Sequence, residues 1–320
     1  MTILVLTRPN DGTAGGVVTE LERRGVAVVR ADVGDFPLDV MLVASLAGHH
    51  EWRGSLSLAG KYVRLDEIQA IYYRRPTGFR LPDHLSPEHQ RFAKAEARRG
   101  LGGLLLTLPV RWVSHPSRVA DAEFKPLQLQ LAAECGLRVP RTLITNDAVH
   151  VQEFAEQLSG PMIYKPLSAP SVRTDGELRL IYATQVSSSA LHEDDIGLTA
   201  NLFQEWVPKE CDIRLTVVGD RFFAVAIHAS SDQAYVDWRS DYDTLRYEPI
   251  ETPEDVRYSI NTLLERLSLP FGAFDFTVTP DGEWVFLELN PNGQWGWIED
   301  RTDLPITTAV ADLLTSGKIP

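Results

Sequence analysis

The chain is 320 residues long with a formal net charge of −13, enough for two or three lobes with real cores and too acidic for a general nucleic-acid binder. Its two cysteines, Cys135 and Cys211, make neither a metal spacing nor a disulfide framework, which predicts a reducing, cytoplasmic setting. The opening MTILVLTRPN lacks the basic region of a signal peptide, and the apolar run 101–110 is too short to span a bilayer, so no membrane partner is expected.

Residues 3–7 predict a buried strand, a loop holds Asp11 and Gly12, a helix runs to about 24 before Gly25, and 26–31 form a second strand. Such a β-α-β start predicts a parallel sheet. Gly12, Gly15 and Gly16 do not make the G-x-G-x-x-G pattern, so no nucleotide site is assigned there. His49-His50-Glu51 looks metal-like, but neighbours in an extended chain point in different directions, and a solvated turn before a 52–58 strand is the better reading. A strand over 68–73 ends in Tyr72-Tyr73-Arg74-Arg75-Pro76. Two arginines at a strand end either bind an anion or acidic peptide, or are simply solvated. Ser86, Pro87 and Glu88 start a helix that runs to about 106 and is ended by Pro109. The first domain boundary falls near Pro116, dividing the chain into 1–115, 116–200 and 201–320.

Ser117 is expected to cap a short helix. Lys125-Pro126 opens the next, 127–135, with Leu127, Leu131 and Ala132 on one face and Gly136 as its stop. A strand follows at 137–142, then a helix capped by Asn146 or Asp147 to about 158, then a strand at 162–166. Lys165 ends that apolar strand. The loop 167–177 is small, polar and able to close over phosphates; it contains Arg173, and 178–186 is the returning strand. Residues 202–207 form a strand, and 211–218 and 221–229 form two more around a Gly219-Asp220 turn. Asp212 and Arg214 share one strand face, either as an exposed ion-pair ladder or as a wall facing a ligand. Asp237-Trp238-Arg239 repeats the acid-x-Arg pattern in a loop, 253–267 is helical, and 307–314 form a last helix.

The stretch 272–295 carries the most chemistry. Strands 274–279 and 283–289 flank Asp281-Gly282, a hairpin signal. A two-residue loop puts Pro280 opposite Glu283, and hence Asp275 opposite Glu288. Facing carboxylates repel, unless a divalent cation lies between them. Asn290 is two residues beyond Glu288 and points to the same face. Two carboxylates and an amide oxygen are hard ligands suited to Mg²⁺ against phosphates. A three-residue loop with a bulge would shift this register. The alternative is an exposed acidic hairpin, but the residues around Asp275 and Glu288 are strongly apolar and call for burial. No Ser-His-Asp arrangement and no H-E-x-x-H spacing is present, which leaves a zinc hydrolase as a poor fit.

In this order the pieces resemble the ATP-grasp superfamily over about 116–297. They are Lys125 before a helix ending Gly-apolar-x-x-Pro-x-Thr, strand-terminal Lys165, the 204–207 strand, Asp212-x-Arg214, Asp237-Trp238-Arg239, Asp275, and Glu288-x-Asn290. The chain is most similar to the graspetide synthetases, the ATP-grasp maturases of ribosomal peptides. Tyr72 to Pro76, Tyr164-Lys165-Pro166-Leu167, Asp212-Ile213-Arg214 and the closing LNPNGQW suggest it.

The resemblance implies an α/β chain with α+β lobes: an ATP-grasp fold behind an N-terminal Rossmann-like pre-ATP-grasp domain. It implies ATP and Mg²⁺ as cofactors, a precursor peptide (a leader plus an acidic core) as partner, and a homodimer. Lys125 and Lys165 would contact phosphates. Gln204, and the main chain of Glu205 and Val207, would meet the adenine, and Asp212 or Glu210 the ribose. Asp275, Glu288 and Asn290 would hold Mg²⁺. Arg214 and Arg239 would stabilise an acyl phosphate or grip the acidic substrate, with Arg74, Arg75 and Arg173 drawing it in. Side chains of Asp or Glu would be joined to Thr or Ser hydroxyls or Lys amines. A ligase adding free amino acids to a peptide terminus shares these ATP-site residues. A fold kept only as a nucleotide- or peptide-binding module is the non-enzymatic alternative, and the intact lysine and metal set weighs against it.

Overall fold

The computed structural model describes residues 2–48, 50–58, 60–168, 171–174 and 177–317, with the backbone alone at 171–174 and 178–180. His49 lies outside them. The first sheet is parallel throughout, in the order Ala27–Ala31, Thr2–Thr7, Ile68–Arg74, Arg111–Val113. Asp11 caps the helix Gly12–Arg23 by accepting from the Ala14 amide, and Gly25 leaves it at φ +73. An antiparallel sheet of Met41–Ser45, Arg53–Leu58 and Lys61–Arg64 is attached. Only its middle strand was expected, because the outer two are short and half exposed and carry little periodic signal. The helix started by Pro87 does continue to Leu106, through a π turn at Arg98–Gly102.

Past this layer the helix Pro116–Ala122 has His115, not Ser117, at its N-cap position, without a side-chain cap, since Pro116 takes the first helical position. Lys125–Glu134 follows, and its inner face is Gln128, Leu129 and Ala132 rather than one centred on Leu127 and Leu131. The strand expected at 137–142 begins at Thr142. Arg138 instead makes a single bridge to Val285, and Pro140 interrupts any longer pairing. An antiparallel sheet then runs Thr184–Val186, Met162–Lys165, Asn201–Glu205, Thr142–Thr145. Where a polar loop and one returning strand were expected, Ser171–Thr174 and Glu177–Leu180 pair as a separate hairpin.

The largest sheet among the described residues has five strands and is antiparallel, in the order Leu245–Ile250, Arg221–Ala229, Cys211–Val218, Phe271–Val278, Trp284–Asn290. Alternation splits its two faces. Ile213, Leu215, Val217, Phe274 and Phe276 face a core shared with helix Glu254–Leu267 and with Leu129 and Ala132. On the opposite face, Val218, Phe271 and Ala273 join Ile3, Val5, Val17, Leu21 and the buried side of helix Ile306–Thr315. The polar residues Asp212, Arg214, Asp275 and Thr277 lie further along that same face, where the first sheet no longer covers it. Among the described residues no helix is long and apolar enough to cross a membrane.

Candidate functional site

A cavity of about 950 Å³ lies between the sheet of Met162–Lys165 and Asn201–Glu205 and the five-stranded sheet. Its floor is the hairpin Phe271–Val278 and Trp284–Asn290. The turn is a three-residue loop, 280–282, with the Gly282 amide donating to Thr279 O and Gly282 at φ +86. That wider turn shifts the ladder by one, so Phe276 pairs with Phe286. Leu287 is then bulged out, and Asp275 again faces Glu288. The expected pairing therefore holds by two deviations that cancel. The Asn290 amide donates to Glu288 Oε1 at 3.2 Å, on the same face.

Cations surround the two carboxylates. Arg214 Nη1 lies 2.9 Å from Asp275 Oδ1, and Lys125 Nζ lies 3.5 Å from Glu288 Oε2. Arg239 donates from one nitrogen to both Asp275 and Glu288, the latter at 3.1 Å. Its guanidinium stacks 4.6 Å from the Trp238 ring centre. Asp237 holds this arm: one carboxylate oxygen accepts from the Arg239 amide and the other from the Ala183 amide. Burial alone would raise Glu288, but Arg239 and Lys125 outweigh it and hold its carboxyl well below the usual range. Burial lowers Lys165 to about 8 despite the pull of Glu288.

At the other end the strand Asn201–Glu205 runs into Trp206 and Val207 along the cavity wall. Gln204 is buried and donates to the Thr142 hydroxyl. Lys209 Nζ sits 2.6 Å from Asp212 Oδ2 and packs 5.5 and 5.6 Å from the Trp206 and Tyr235 ring centres. Burial pushes Asp212 up to about 6, against the Lys209 charge.

One cavity thus gathers Lys125, Lys165, Gln204, Glu205, Val207, Asp212, Arg214, Arg239, Asp275, Glu288, Asn290 and Arg75. Glu210 is not among its lining residues: it is exposed, and its amide is tied to Val278 O. Arg173 stands opposite Leu178 in its hairpin, and its side chain lies outside the described residues. Arg74, expected at the substrate, does not line the cavity either. It is 1% exposed, ion-paired to Asp11 and bonded to Gly293 O beneath the cavity floor. Arg75, not Arg74, lines the cavity, because φ +46 at the strand end turns the chain there. A left-handed residue other than glycine costs about 1 kcal/mol.

Sequence reasoning missed Gln128 and Lys209, and it gave Asp237 no role beyond its acid-x-Arg pattern. Gln128 donates to Leu289 O at 2.8 Å and accepts from Leu289 N at 2.9 Å, completing the outer ladder of Trp284–Asn290 beside Glu288. Its signal was a polar residue on a helix stripe of Leu and Ala. Lys209 precedes its strand, where no periodicity fixes a face.

The family described as the MvdD pre-ATP grasp domain matches residues 2–120. No curated protein matches the chain. Among solved structures, a RiPP-associated ATP-grasp ligase of Chryseobacterium gregarium, in complex with ADP and a leader and core peptide, is 27% identical with a TM-score of 0.89; the match covers 98% of this chain and 96% of that one. Macrocyclase MdnC of Microcystis aeruginosa, bound to precursor peptide MdnA, is 28% identical with a TM-score of 0.85, over 98% of this chain and 99% of that one. Macrocyclase MdnB of the same organism is 32% identical with a TM-score of 0.83, over 99% of each chain.

Proposed function

Because this chain belongs to the graspetide synthetases, the ATP-grasp ligases of ribosomally made peptides, we propose that it activates Asp or Glu side chains of a precursor peptide as acyl phosphates and joins them to Thr or Ser hydroxyls or Lys amines, closing macrocycles. The observation that carries this reading is the convergence of Lys125, Lys165, Arg214 and Arg239 on the facing pair Asp275 and Glu288 in one cavity.

Joining a carboxylate to a hydroxyl in water is uphill, so the carboxylate must first acquire a leaving group. Transfer of a phosphoryl group asks the protein for charge neutralisation and alignment, not for a nucleophile. Lys125 and Lys165 hold the phosphates. Gln204 and the main chain of Glu205 and Val207 meet the adenine edge, and Asp212, rather than the outward-facing Glu210, takes the ribose. Asp275, Glu288 and Asn290 suit Mg²⁺: all three offer oxygen, and the two carboxylates already enclose one cationic group, the Arg239 guanidinium. The ion, when bound, neutralises charge on the transferring phosphoryl group. Arg214 lines the cavity, where its guanidinium, held between Asp275 and Gln294 O, presents positive charge to a substrate oxygen. Arg239 shares that task, and Arg75 meets acidic side chains at the mouth. An acidic core can approach a chain of net charge −13 because the local field of these arginines outweighs the distant acids.

The test is a mass spectrum of the peptide encoded beside the gene after incubation with the protein, ATP and Mg²⁺. Loss of whole water masses, absent with Glu288→Ala, is the expected result, and mild base then separates esters from amides. A mass gain with ATP hydrolysis would point to amino-acid addition instead. An unchanged peptide would remove the macrocyclase reading.

A further inference from the structure

Asp11 spends one carboxylate oxygen on the cap of its helix; the other lies 3.2 Å from Arg74 Nε, and both side chains are 1% exposed. The contact is an ion pair without hydrogen-bond alignment, so the guanidinium is held by charge and directed by its two outer nitrogens. Those donate to Gly293 O at 3.1 Å and to Gln294 Oε1 at 2.5 Å. The Thr13 hydroxyl, also on the Asp11-capped helix, donates to the same Gln294 oxygen at 3.2 Å.

The segment they grip joins Asn290 of the hairpin to the helix Gly296–Thr302. Three successive carbonyls in it each accept from a different arginine: Asn292 from Arg75, Gly293 from Arg74, Gln294 from Arg214. Arg214 thus has two anchors, Asp275 and Gln294 O, each 2.9 Å away. The second anchor is movable in principle, being main chain in a loop; Arg74 and Thr13 fix it. Gly293 has no room for adjustment, because a Cβ there would overlap Ala273 Cβ and stand 2.8 Å from Arg214 Nη2.

We infer that Arg74, held by Asp11, is a positioning residue: it fixes the 292–294 carbonyls of the last domain from the first, and so sets the orientation in which Arg214 presents its guanidinium to the cavity. This deepens the proposed function and rests on it for what Arg214 does. It reverses the expectation that Arg74 meets the substrate. It also gives the first domain a part in the chemistry without lining the reacting atoms.

Asp11→Asn is the discriminating variant, because Asn caps a helix as well as Asp does while losing the charge that Arg74 faces. Gln294→Met is the second, removing the shared acceptor at similar volume. Arginine Nε–H cross-peaks are recorded by ¹H–¹⁵N NMR on the full chain, with the Arg214 peak identified by its loss in Arg214→Lys. The Arg214 peak is expected to shift or broaden in both variants while both remain folded by circular dichroism. With the peptide encoded beside the gene, kcat for ADP release should fall roughly tenfold to a hundredfold. KM for MgATP should stay within about twofold. Asp11→Asn combined with Arg214→Lys should lose no more than Arg214→Lys alone. An unmoved Arg214 peak in both variants, or losses that multiply in the double variant, overturns the inference. If the wild-type chain releases no ADP, the functional reading fails, and the NMR comparison still decides the positioning claim.

Discussion

Two groups of buried charge sit on either side of the cavity floor. Beneath it, Asp11 and Arg74 form a one-to-one pair, each 1% exposed. Above it, Asp275 and Glu288 face Arg214, Arg239, Lys125 and Lys165, and the members vary from sealed to open: Asp275 is 3% exposed and Arg239 31%. The lower pair is balanced and has no route to solvent, so it acts as architecture. The upper group shares its charges among several partners, with Asp237 as a third acid on Arg239, and it opens on a cavity that a charged ligand can enter. Burial of charge alone therefore does not mark a site. Convergence of several charges together with access does.

The comparison can be broken most forcefully at Asp275. Asp275→Ala takes the carboxylate partner from the buried Arg214, while Arg239 keeps Glu288 and Asp237, and should destabilise the fold by about 3–5 kcal/mol, measured by urea denaturation, with MgADP binding lost as well. Retained MgADP affinity would show that the upper group, too, is only architecture. A smaller effect is expected from pH. Lys165 falls to about 8 from a usual 10.5 because burial disfavours its charge. The unfolded chain therefore binds this proton more tightly, the cost to stability is full below pH 8, and stability gains across the window from 8 to 10.5. Nucleotide affinity runs the other way, weakening by roughly threefold to tenfold over the unit above pH 8 as the ammonium is lost. Calorimetry of MgADP binding should show this decline in the wild type and its absence in Lys165→Arg, which stays charged. The smallest effect belongs to the lower pair. Thr13→Val removes one of two donors to Gln294 and should cost about 1 kcal/mol in thermal unfolding, with no change in that pH profile.

Much of the upper group was legible in the sequence because strand alternation is strict. Asp212 with Arg214, and Asp275 with its neighbours, fall on one face by period two. The 275–288 pairing was reached by counting from a turn one residue too tight, and only the bulge at Leu287 restores it; bulges leave no reliable mark in a sequence. Arg74 and Arg75 show the opposite limit. Alternation says they point apart, but which one faces the cavity depends on Asp11, far away in the chain and placed by the fold. Leu245–Ile250 escaped notice because an edge strand with exposed Arg246 and Glu248 has the composition of a loop.

The helix Ile306–Thr315 has a consequence for how the chain is made. Its Ile306, Ala309, Val310, Ala311 and Leu314 are the partners of Val17 and Leu21 in the core beside the first sheet. During synthesis the ribosome therefore delivers the opening layer long before the segment that seals it, and that layer must wait with an oily face uncovered. A fragment ending near residue 120 is missing that seal, however complete its own strands. In assembly, then, the helix Ile306–Thr315 closes what Thr2–Thr7 and Gly12–Arg23 begin.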